Sequence, residues 1–199
     1  LSRVVREFNT AADVASLVQL VYDECMRISN ADCGSVVLLK ENYKTHPDAK
    51  IIEFTGEAQG ETLLQIERDC LESGEHIVID DYSQCDYDRP HEEVRSGLCI
   101  PIAFQGRSSG VVHLHAKTKN RFETAAIEIT RTLAIQAAIS YSNLLRLREL
   151  RVQRLEQHRR GDAGRRVAHS ERVGRVDGEI DVVLGHPRQR VPGDQHEFG

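Results

Sequence analysis

The chain has no Trp and one Met, and its five Phe and five Tyr give it little aromatic surface. Positive charge is also lacking in sum. Lys and Arg total 26 against 31 Asp and Glu, a formal net charge of -5, so the bulk chain has no electrostatic reason to bind nucleic acid. No apolar run approaches the roughly 20 residues that cross a bilayer, and the opening LSRVVREFN has no apolar signal core. It also lacks an initiating Met, which suggests a piece of a longer protein. The five cysteines, Cys25, Cys33, Cys70, Cys85 and Cys99, are odd in number and include no C-x-x-C pair. A disulfide framework or zinc knuckle is not indicated, and reduced thiols in a cytosolic protein are the expectation.

The 199 residues suit one domain with an appendage, and a 40% hydrophobic content is enough for a core. Asn9-Thr10 can cap a helix with Asp13 in its first turn. Val14, Leu17, Val18, Val21, Cys25 and Ile28 then recur at helical spacing as far as Ser29-Asn30. Strands are expected over Cys33 to Leu39, Ile51 to Thr55 and His76 to Ile79. A short amphipathic helix is expected from Glu61 to Leu71, stopped by Gly74. Residues 80–95, DDYSQCDYDRPHEEVR, form a long polar loop of the kind that is often functional.

Leu98, Ile100, Ile102 and Phe104 alternate with Cys99, Pro101 and Ala103, the pattern of a strand. Gln105-Gly106-Arg107-Ser108 is a turn and VVHLHAK the return strand. From Phe122 a helical pattern runs to about Arg160, roughly three times the mean helix length. Its second half, LLRLRELRVQRLEQHRR, is expected to project and pair with another helix. Its arginines, Arg146 to Arg160, interleave with Glu149 and Glu156 and recurring Leu, which fits a solvated coiled-coil flank rather than a nucleic-acid or membrane surface. Residues 161–199 hold no lasting period and are expected to be a linker, disordered, or a non-native tail; their one strand-like piece is Ile180 to Leu184.

Three stretches, in this order, resemble the GAF domain family. LESGEHIVIDD resembles its helix exit, short strand and Asp. RSGLCIPIAFQGRSSGVVHLHAK resembles its S-x-L-x-x-P-I … G-x-x-x-G-V-x-x-L hairpin. RFETAAIEITRTLAIQAAISYSNLLRLREL resembles its closing helix. The resemblance spans about Ala11 to Leu155. It implies an α+β fold with a central antiparallel sheet of five or six strands. The N- and C-terminal helices cover one face, and a loop and short helix form a ligand pocket on the other. Residues 1–145 would be the sensory domain and 146–160 a signalling helix or coiled coil.

The implied function is a small-molecule-sensing regulatory domain of a cytosolic signal-transduction protein, of the histidine kinase or nucleotide cyclase type. It would relay to an output domain through a homodimer formed by the first and last helices. A ligand-free dimerisation module is the alternative. A thiol-dependent free methionine sulfoxide reductase is a second alternative, for which Cys70, Cys85 and Cys99 invite comparison, but the Gly-Val-Cys-Gly turn of that branch is missing. The expectation is that the chain is not an enzyme.

The candidate ligand-binding residues are Tyr82, Cys85, Asp86, Arg89, His91 and Arg95 of the loop, with His113 and His115, which lie two apart and share a strand face. Arg there would act as a fork for carboxylate or phosphate. Two His without a third ligand make a weak metal signal. Cys85 stands ~16 residues before Pro101, near the chromophore cysteine of bilin-carrying relatives, but Asp86 follows it where they have His. A bilin is thus not supported, and neither is haem. The cyclic-nucleotide signature N-K … F … D-E is broken after Asn120 and Phe122.

Overall fold

The computed structural model describes residues 2–56 and 62–176, except for the side chains of Phe54 and 159–176. The described residues fall into two units, one ending at Glu149 and the other beginning at Leu150. The elements of the first are α1 (Ser2–Asn9), α2 (Val14–Ser29), β1 (Cys33–Leu39), β2 (Ile51–Gly56), α3 (Gln65–Ser73), β3 (Ile77–Ile79), a 3-10 turn (Tyr82–Gln84), β4 (Ser96–Phe104), β5 (Arg107–Ala116) and the start of α4 (Thr124–Val176).

Five strands form one antiparallel sheet in the order β2-β1-β5-β4-β3. Alternation along the three inner strands sorts the core into two layers. Val36, Leu38, Leu98, Ile100, Ile102, Val112 and Leu114 pack against α1, α2 and α4. Val37, Cys99 and Val111 pack against α3 and the 80–95 loop, with Ile66, Cys70, Leu71, Tyr82 and Val94. The helix-on-one-face, loop-on-the-other expectation holds. The long last helix lies close to the sheet because it presents Leu133, Ala134, Ala137 and Ala138, mostly small residues, all buried. Phe122, buried just before α4, anchors its start.

Several boundaries move. The α2 cap is Asp13, whose carboxylate accepts from the Ser16 N–H at 2.8 Å, and not Asn9-Thr10. Residues 2–9 form a separate helix whose buried Val4 and Phe8 are one turn apart. Helix α3 begins at Gln65 instead of Glu61, and β3 at Ile77 instead of His76. Gly74 ends α3 as expected, with φ 72° and its N–H on the Cys70 carbonyl. Helix α4 continues past Arg160 to Val176. Gly161 and Gly164 each cost a helix only about 1 kcal/mol, and no Pro occurs between Pro101 and Pro187. The expectation for 161–199 otherwise falls on residues 177–199, Ile180 to Leu184 included, which lie outside the described residues.

Pro101 is tolerated because β3 ends opposite Cys99, so only β5 lies beside it. The β4–β5 turn is tighter than expected: Gln105 and Gly106, at φ 49° and 76°, make a two-residue loop with both central residues left-handed. A Cβ on Gly106 would meet no atom within 4 Å, so its substitution tests backbone strain alone. Gly106→Ala is expected to cost about 1 kcal/mol in urea unfolding. Gln105→Asn, which tolerates that φ better, is expected to raise stability by a few tenths of a kcal/mol.

Candidate functional site

The loop-side face of the sheet is not purely apolar. His113 and His115 alternate with Val112 and Leu114 on β5, and so both face α3 and the loop, with ring centroids 4.2 Å apart. Glu67 comes from α3, on the same helix face as Ile66, Cys70 and Leu71, and is completely buried. Its Oε1 lies 3.2 Å from His113 Nδ1 and its Oε2 accepts the Leu64 N–H at 2.8 Å. A carboxylate only accepts, so the Nδ1–H of His113 donates to it. In the neutral imidazole, Nε2 is then the acceptor that faces the Tyr82 hydroxyl at 3.5 Å. Tyr82 reaches this point because the 3-10 turn carries it over Gly97. A Cβ on Gly97 would stand 2.6 Å from the Tyr82 hydroxyl, so only glycine leaves room. Burial raises the Tyr82 phenol well above its usual range.

The loop over this cluster is tied down on three sides. The Tyr82 N–H donates to the Arg95 carbonyl at 2.9 Å, and the Arg95 N–H to the Ala116 carbonyl at 2.8 Å, which joins the loop base to β5. The Tyr87 hydroxyl donates to Asp69 of α3 at 2.9 Å. His91 Nε2 approaches Cys33 Sγ of β1 to 3.5 Å. Val94 is fully buried beneath it.

Of the eight candidate residues, Tyr82, His113 and His115 meet in the buried cluster. Cys85 is half-buried, its thiol turned to the carbonyls of Tyr82 and Tyr87. His91 is exposed on the loop surface against Cys33. Asp86, Arg89 and Arg95 are exposed, and Arg95 donates to the Glu92 carbonyl of its own loop. Sequence reasoning missed Glu67. The available signal was a carboxylate at helical spacing from Leu63, Cys70 and Leu71, on a stripe that is otherwise apolar.

Two thiols complete the face. Cys70 of α3 and Cys99 of β4 are both buried and hydrogen-bonded to each other. Burial, and then this bond, raise the Cys99 thiol far above its usual value. On the other face burial pushes the Cys25 thiol up to about 12. Among the described residues, no group of three or more His, Cys, Asp or Glu is arranged to hold a metal ion, and no helix is long and apolar enough to cross a membrane.

A family model described as GAF domain matches residues 11–140. The fold is also found in solved structures. The GAF domain of a phosphoenolpyruvate-protein phosphotransferase from Coxiella burnetii is 21% identical, with a TM-score of 0.59, over 71% of this chain and 90% of that one. Its counterpart from Acinetobacter is 16% identical, with a TM-score of 0.58, over the same shares. The free methionine-R-sulfoxide reductase of Neisseria meningitidis, in complex with its substrate, is 14% identical, with a TM-score of 0.57, over 73% and 90%. No curated protein sequence matches the chain. The expectation that the chain is not an enzyme is corrected by the reductases. That structure, with those of Thermoplasma acidophilum and Staphylococcus aureus at 14% and 13% identity, shows catalysis carried on this same fold.

Two outcomes test the site. Glu67→Ala leaves His113 buried without its acceptor and is expected to cost ~3 kcal/mol in urea unfolding, with His113→Phe adding much less on top than alone. Iodoacetamide at pH 8, read by peptide mass spectrometry, is expected to modify Cys33 and Cys85 quickly. Cys25, Cys70 and Cys99 should react only on unfolding, because the thiolate is the reacting form and they are buried.

Proposed function

The chain belongs to the GAF domain family, a family of sensory and regulatory domains, and on that premise we propose that it senses a small molecule. The ligand would act on the Glu67–His113–Tyr82 cluster beneath the 80–95 loop. The observation that carries this reading is one strand with two audiences. His113 on β5 faces the cluster, while its neighbours Val112 and Leu114 pack on the helix side. A ligand that displaced Tyr82 or the loop from His113 would shift β5 and bias helix α4, a two-state coupling.

The relay would run through a homodimer of a cytosolic signalling protein, of the histidine kinase or nucleotide cyclase type. Support comes from α4. At 100° per residue, Ile135 and Ile139 lie opposite the buried Leu133, Ala137 and Tyr141, and Ile135 is exposed and Ile139 half-buried. An apolar outer stripe on the last helix fits a second copy of the same stripe.

Light scattering after size exclusion is expected to give a dimer, and Ile135→Glu with Ile139→Glu a monomer of unchanged circular dichroism. A monomeric parent chain would sink the relay. Native mass spectrometry of the freshly purified chain is expected to show a retained small molecule that His113→Phe loses. A dimer that retains nothing, and whose melting temperature no metabolite in a broad panel shifts, would instead be a ligand-free dimerisation module.

The paired Cys70 and Cys99 favour one second reading, thiol-dependent reduction of free methionine sulfoxide. There two thiols would become a disulfide as the sulfoxide becomes a thioether and water. Methionine release with dithiothreitol as reductant, abolished in Cys99→Ser, is its test; absence of product in the parent chain rejects it.

A further inference from the structure

A cavity of about 430 Å³ opens on the helix side of the sheet, away from the Glu67–His113 cluster. It lies between the start of the β1–β2 connection, the base of the β4–β5 hairpin and the α4 stretch from Tyr141 to Glu149. Its lining is polar, which is unusual beside a core that elsewhere on this face is made of Val, Leu, Ile and Ala.

Three independent features point to an anionic ligand. The first is charge. Lys40, Arg107 and Arg146 line the cavity, and among the described residues none of them is in an ion pair. Of the two carboxylates on the wall, Glu41 is paired with His46 at 3.4 Å, which leaves Glu149. The second is an orphan donor. Ser108 is 1% exposed, lines the cavity, and its hydroxyl has no hydrogen-bond partner among the described residues. A buried hydroxyl without a partner is costly, and a ligand oxygen would recover that cost. The third is local architecture. Ala103 pairs with Ser108 while Ile102 pairs with Gly110, so Ser109 is an extra residue in β5. This bulge puts two serines at the cavity, and the Asn42 side chain fixes the Ser108 backbone through a 3.0 Å bond to its N–H.

We propose that this cavity binds a small organic anion through its phosphate or carboxylate group, held by Arg107, Arg146 and the Ser108 hydroxyl. Arginine matches either oxyanion with paired N–H donors, and the volume accommodates a metabolite of modest size. Arg107 belongs to the hairpin and Arg146 to α4, so a bound anion would clamp the last helix to the sheet. This site is independent of the ligand proposed for the opposite face.

Isothermal titration of the whole chain at constant ionic strength, with inorganic phosphate and with citrate as separate probes, tests the proposal. Saturable binding of one probe is expected, and which probe binds assigns phosphate or carboxylate chemistry. Arg107→Ala and Arg146→Ala are each expected to weaken it by roughly tenfold or more. Both residues are exposed, so the variants keep their fold, which circular dichroism checks. Arg131→Ala removes the same charge elsewhere on α4, where it pairs with Glu128, and is expected to leave binding unchanged. Binding of neither probe up to about 10 mM, or equal weakening by all three substitutions, overturns the site.

Discussion

The bond between Glu67 and His113 is the constraint that organises the loop side of this domain. A carboxylate with no exposed surface must be paired, or its burial would cost several kcal/mol. Its two oxygens are used differently. One caps its own helix at the Leu64 N–H, and the other crosses to His113 on β5. The first fixes where α3 begins, and the second fixes how α3 sits on the sheet. An apolar helix could slide on Val37, Cys99 and Val111 with little loss of contact. A helix with a buried acid that has one imidazole to reach cannot. The roof follows, because Tyr82 meets the other nitrogen of the same ring and Tyr87 meets Asp69 of the same helix.

The sheet transmits this arrangement because its central strands are buried on both sides. β1, β5 and β4 each present one set of side chains to the helices and the alternate set to the loop layer. Their close-packed interiors respond to a displaced side chain by moving together instead of absorbing it. Strand β5 has neighbours on both edges from Gly110 to His115 and joins the two layers there.

The strands were legible in the sequence because alternation and β-branching report directly on a pleated ladder, and β1, β4 and β5 were located closely from those signals. His113 and His115 were legible for the same reason. The helix ends were harder. Thr10 and Asp13 are both good caps, and the first helix of eight residues is shorter than a periodicity can establish. Start of α3 was placed too early because Leu63 and Leu64 extend the apolar pattern outside the helix. In the loop, residue type suggested chemistry but direction is set by tertiary contacts. Asp86, Arg89 and Arg95 turn outward where Tyr82 turns in. Glu67 was hidden because a charge on a helix normally marks the solvent side, and only its buried partner reverses that meaning.

The polar cavity on the other face follows from the same strand geometry. Beyond Gly110 the alternation of β5 is broken by the bulge at Ser109, so the apolar row of Leu114 and Val112 is not continued, and Ser108 and Ser109 stand at the cavity wall. Tyr141 is the last fully buried apolar residue of α4, with its hydroxyl 3.5 Å from the Leu39 carbonyl, and the layer thins beyond it to the half-buried Leu144 and Leu145. Burial raises its phenol, and the charges of Arg107 and Arg148 partly oppose this, which places positive potential at the point where the core ends. The hydrophobic contact between α4 and the sheet therefore gives way, within one helical turn, to a contact that needs an anion to close it. The coupling of last helix to sheet is apolar and permanent near Leu133, and polar and conditional near Arg146.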